Sequence, residues 1–150
     1  MSKISPATIH HMPLDAYVGV WKTEGEVIGG ANKASVKFTA IDTYEWLPGG
    51  YFLFHRFDAD MPEGKVQGIE VIGYSTARQT FLLFSFDNQG NTTLLHGKID
   101  GEKWIFSGDS IRFIGGFSDN GNIFSGLWEF RSGEGSVWQP WMNVLLRKME

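Results

Sequence analysis

The chain has 150 residues, no cysteine, and a formal net charge of -4 with a pI near 5.5. The acidic balance speaks against nucleic acid or an anionic membrane as a partner, since both recruit basic surfaces. The lack of cysteine excludes a disulfide framework, a thiolate metal site and a cysteine nucleophile.

Charged residues make up 20% and hydrophobic residues 42%, the balance of an ordinary globular chain. Aromatics reach 15% and glycine contributes 19 residues, a composition of aromatic strands punctuated by glycine turns. Residues 1–12 show no charged region leading into a long apolar run, so no signal peptide is expected. No apolar run approaches the roughly 18 residues of a membrane helix, and the default expectation is a cytoplasmic protein.

Apolar periodicity along the chain is two rather than 3.6. Residues 15–18 form the single predicted helical turn. A first strand over 20–28 ends at Gly29-Gly30-Ala31-Asn32, and a second runs over 35–46. Pro48-Gly49-Gly50 signals a hairpin into a strand at 51–58, and Met61-Pro62-Glu63-Gly64 turns into one at 66–75. Further strands are predicted at 81–87, 92–96, 104–107 and 111–117. The loop Ser118-Asp119-Asn120-Gly121-Asn122 precedes the last two, 123–131 and 137–148. Short turns between sequence neighbours favour one all-β domain over residues 1–150, an antiparallel up-and-down barrel of about ten strands.

Several strands carry bulky apolar groups on both faces, as do Phe52 and Phe54 against Tyr51, Leu53 and Phe57. A sheet with one solvated face shows cleaner alternation. An outer aromatic face calls for a cover, a second copy or the N-terminal segment wrapped outside, and a homodimer through sheet faces is the expectation.

Gly19-Val20-Trp21 stands at the entrance to the first strand, after the helical turn. A small barrel end must be plugged, and an indole with a cation over its face does so. Gly-x-Trp after a helical turn resembles the entrance motif of lipocalins, and the resemblance implies Trp21 as the plug and Arg147, near the C-terminus, as the cation over it. With the stretches Asp42-Thr43-Tyr44-Glu45-Trp46-Leu47-Pro48-Gly49-Gly50-Tyr51-Phe52-Leu53, Gly121-Asn122-Ile123-Phe124-Ser125-Gly126-Leu127-Trp128-Glu129 and Trp138-Gln139-Pro140-Trp141-Met142, the chain resembles an uncharacterised bacterial family of lipocalin-like (calycin) barrels. The resemblance implies a barrel of about ten strands and no particular activity. A more distant similarity reaches nitrobindin-like haem barrels, which share Gly-x-Trp-x-Gly-x-Gly near the start. Here Lys22, Thr23 and Glu24 separate Trp21 from Gly25, and the final strands hold no histidine for iron. No cofactor is expected.

No zinc-ligand spacing, nucleophile elbow or phosphate loop is present. His10-His11 is a tempting metal pair, but adjacent residues on a terminal segment rarely make a specific site. His96, beside a turn, reads as solvent-facing. His55 sits mid-strand as a possible interior imidazole, a ligand anchor or a structural group. Charges embedded in aromatic strands matter more, since an inward one must be paired. Arg56 or Arg112 paired with Glu70 or Glu129 would orient a polar head or pin strand register. Tyr44, Trp46, Phe52, Phe54, Phe84, Phe113 and Trp128 supply rings for an apolar pocket. Glycines beside them (Gly50, Gly68, Gly73, Gly115, Gly126) favour residual space, against a fully packed interior.

The leading expectation is binding of a small hydrophobic or amphipathic molecule, oriented by His55, Arg56, Glu70 or Arg112. The alternatives are acid–base catalysis with His55 or an inward glutamate as base, and an interaction module using an exposed aromatic face.

Overall fold

The computed structural model describes residues 3–30 and 32–149. Ala31 of the predicted 29–32 turn, Met1 and Ser2 of the stretch 1–12, and Glu150 lie outside the described residues. A 3-10 helix, Met12–Tyr17, opens the fold, with Pro13 in its first turn, where a missing N–H costs nothing. Ten strands follow: β1 Gly19–Val27, β2 Val36–Trp46, β3 Leu53–Met61, β4 Gly64–Ser75 and β5 Thr80–Asp87, then β6 Thr92–Asp100, β7 Lys103–Ser107, β8 Ile111–Ser118, β9 Ile123–Phe130 and β10 Gln139–Met149. Each pairs antiparallel with its sequence neighbour, and β10 closes on β1, giving an up-and-down barrel without a free edge. Among the described residues no helix is long and apolar enough to cross a membrane.

The helix is longer and earlier than the predicted turn at 15–18, and it closes one end of the barrel. Leu14 and Tyr17 are buried there, and Trp46 Nε1 donates to Asp15 Oδ1 at 2.9 Å. Trp21 is fully buried beside them and donates from Nε1 to the Tyr17 carbonyl at 2.8 Å. The cation over its ring is Lys148, with Nζ 5.0 Å from the centroid, and not Arg147. Register explains the correction: Trp21 lies opposite Lys148, while Arg147 lies opposite Lys22 on the exposed face. With a side-chain period of two, neighbouring positions on β10 serve opposite faces.

The expectation that glycines leave space beside rings is reversed. Gly115 and Gly126 are register partners, and a Cβ on either would strike the Phe113 ring, at 2.5 and 2.4 Å from Cζ. A Cβ at Gly68 would meet Phe57, and one at Gly73 would meet Phe52 from outside. These glycines are seats for aromatic rings.

Candidate functional site

Space inside the barrel comes from small inward residues at the end away from the helix. Ala40 on β2, Ala59 on β3, Ser85 on β5 and Thr93 on β6 all face a cavity of about 350 Å³. Phe57, Phe106, Phe113, Phe124, Trp128 and Trp141 supply most of its aromatic wall. A bulge between Pro140 and Met142 breaks the β9–β10 register, so Trp141 and Met142 both reach the cavity although they are adjacent in sequence. A larger depression, about 870 Å³, lies over Glu24, Lys37, Ile114 and Leu127, but it is an open outer groove without a buried polar cluster.

At mid-height four consecutive strands each send one polar group inward. Thr23 Oγ1 donates to Asp42 Oδ2 at 2.5 Å, and Asp42 Oδ1 accepts from His55 Nε2 at 2.6 Å. His55 Nδ1 donates to Glu70 Oε1 at 3.0 Å. His55 stands directly opposite Glu70 in the β3–β4 ladder, and Asp42 reaches it diagonally from two places along β2. The Tyr44 ring lies flat on the imidazole, with centroids 4.0 Å apart and planes 9° from parallel.

His55 is a cation at neutral pH. Burial by itself pulls an imidazole pKa down. Here the hydrogen bonds to Asp42 and then Glu70, with the charges behind them, outweigh burial and raise it to about 9. Both ring nitrogens are donors, so neither has a lone pair for accepting a proton. Burial, with Asp42 and Glu70 nearby, holds the Tyr44 phenol well above its usual value. Tyr17 behaves alike, through burial and then Glu70, and its hydroxyl is buried without a partner among the described residues.

The predicted residues divide between inside and outside. Tyr44, His55, Glu70, Phe113 and Trp128 line the cavity. Trp46 is buried at the closed end. Phe52 and Phe84 are exposed at 50% and 41%, and Phe54 lies on the outer face with the exposed Arg56 guanidinium 4.6 Å above its ring. Arg112 Nε donates to Glu129 Oε1 at 2.7 Å, the predicted charge pair, but outside the cavity. The Arg112 and Arg131 guanidinium groups both lie over the Trp138 ring there, each 4.4 Å from its centroid. Glu70 takes His55 as its partner rather than an arginine.

His10 stacks on Tyr74, and His11 bonds to Thr8 Oγ1 at 2.7 Å. His96 lies opposite Leu82 on the outer phase of β6. Sequence reasoning passed over Thr23 and Asp42. A signal for Asp42 exists: on β2 it shares the phase of Phe38, Ala40, Tyr44 and Trp46, a carboxylate in an otherwise buried row.

The DUF1579 family, described as proteins of unknown function, matches residues 5–131. No curated protein matches in sequence. Among solved structures, the crystal structure of Rv2717c from M. tuberculosis is similar at a TM-score of 0.65, covering 95% of this chain and 99% of that one. At 13% identity the likeness concerns the fold alone.

Proposed function

The chain belongs to the DUF1579 family, whose description assigns no activity, and we propose that it binds a small apolar or amphipathic molecule inside the barrel without transforming it. The observation that carries this reading is the cavity of about 350 Å³, walled by rings and carrying one polar pole. Ligand sites are typically apolar hollows of this size with a few convergent polar groups. The hydrogen bonds at both His55 nitrogens speak against that imidazole as a general base. A general base needs a free acceptor within reach of substrate.

Titration with a neutral fluorescent probe, N-phenyl-1-naphthylamine, tests the reading. The unmodified barrel should bind it, and Ala40→Phe, which fills the cavity, should abolish binding while leaving the far-UV circular dichroism unchanged. Absence of probe binding to the unmodified protein, or equal binding to a folded Ala40→Phe variant, removes the proposal.

A separate observation supports self-association. Phe54, Val71, Phe84 and Leu94 form one register row across β3 to β6 on the outer face, with Phe86 47% exposed beside them. Exposed apolar ladders of this kind are interface material, and a two-fold pairing lets one face cover itself. Sedimentation should give a dimer that Phe84→Lys converts to monomer; a monomeric parent overturns this second reading.

A further inference from the structure

We propose that the cavity selects a protonated amine on an apolar body, with the ammonium seated at Glu70 and Tyr44; this rests on the reading of the interior as a binding site. Among the described residues the cavity has three carboxylates, Asp42, Glu70 and Asp87, against one imidazolium, and neither lysine nor arginine lines it. Both oxygens of Asp42 are engaged, one by Thr23 and the other by His55. Glu70 differs. Among the described residues its side-chain hydrogen bond is the one its Oε1 accepts from His55.

Tyr44 is the second, independent observation. It is only 8% exposed, it lines the cavity, and its ring stacks on His55. The buried hydroxyl without a partner among the described residues is that of Tyr17; the Tyr44 hydroxyl keeps accessible surface, and its residue lines the cavity, where a ligand group can reach it. An ammonium has three donors and no acceptor, which matches a carboxylate oxygen and a phenol oxygen.

Charge points the same way. His55 offsets one of its two flanking carboxylates, leaving an excess negative charge in a low-dielectric interior, where an unpaired charge is costly. A ligand cation relieves that cost, and the ring faces around it add cation–π attraction. A carboxylate ligand meets the same field as repulsion. Asp87, whose pKa is held down by hydrogen bonds from Asn91 and Gln89, adds negative charge at the mouth.

The test is displacement of bound N-phenyl-1-naphthylamine at pH 7 by octylammonium, octanol and octanoate, which share one apolar body. The expected order is octylammonium first, by about tenfold or more over octanol, a difference of about 1.4 kcal/mol, with octanoate last. Glu70→Gln should bring octylammonium and octanol close together. Octanol or octanoate matching octylammonium, or no displacement of bound probe by any of the three, overturns the amine assignment and leaves the cavity reading standing. Failure of the unmodified protein to bind the probe at all overturns both. The ranking in the unmodified protein is decisive even where the Glu70 variant does not fold.

Discussion

The two ends of this barrel are built from the same ten strands and reach opposite results. At the helix end, Leu14, Tyr17, Trp21 and Trp46 pack into a closed plug, with Lys148 over the indole. At the other end, the inward positions of β2, β3, β5 and β6 shrink to Ala40, Ala59, Ser85 and Thr93, and a cavity remains. β2 shows the change along one strand: Trp46 and Tyr44 fill, Asp42 bonds, and Ala40 leaves room. A closed sheet fixes a roughly constant bore, so the size of the inward residue decides whether that bore is core or cavity.

The largest test of this contrast is the cost of truncating a ring at each end. Trp21→Ala should lose about 3–5 kcal/mol of unfolding free energy in a denaturant titration. Trp141→Ala, at the half-buried cavity rim, should lose well under half of that. Equal losses would mean that the cavity end is as much core as the plug.

The next effect belongs to the polar row between the ends. The folded pKa of His55, about 9, lies above its ordinary 6.5. Its contribution is therefore fully present below about pH 6.5 and is lost as pH rises through about 9. The gap corresponds to about 3 kcal/mol, and it should be missing from the pH–stability profile of His55→Gln. A wild-type profile flat from pH 6.5 to 9.5 would show that Asp42 and Glu70 do not hold a cation between them.

A smaller effect tests the ring seats. Gly126→Ala places a methyl against Phe113, the Ile114 carbonyl and the Gly115 Cα, and should cost about 1–3 kcal/mol as a fall in the denaturation midpoint. Smallest is the outer pair: Glu129→Gln should cost under about 1 kcal/mol, because Arg112 is one-third exposed and keeps its stacking on Trp138. If the Glu129 variant matched the loss seen without the His55 charge, the inside–outside distinction would collapse.

Much of the fold was legible in the chain. Turn residues at Pro48-Gly49-Gly50, Pro62-Glu63 and 118–122 separate runs of period two, and all ten strands lie where those runs stand, with shifts of a few residues at their ends. The site was half legible. His55 and Glu70 stood out as polar groups in aromatic strands, but so did Arg56, and the rings of Phe52, Phe54 and Phe84 were assigned to the pocket although all four residues face outward. Where both phases of a strand are apolar, alternation alone does not say which phase is inside.

Sequence by itself therefore determined the class of structure: local turn chemistry and a two-residue period are properties of the chain. Closure decided the rest. Joining β10 to β1 set Lys148 and not Arg147 over Trp21. It also chose the phase that brings Thr23, Asp42, His55 and Glu70 into one hydrogen-bonded row. The physical reason is that register is a relation between strands, and a one-residue difference in it exchanges the face of every side chain.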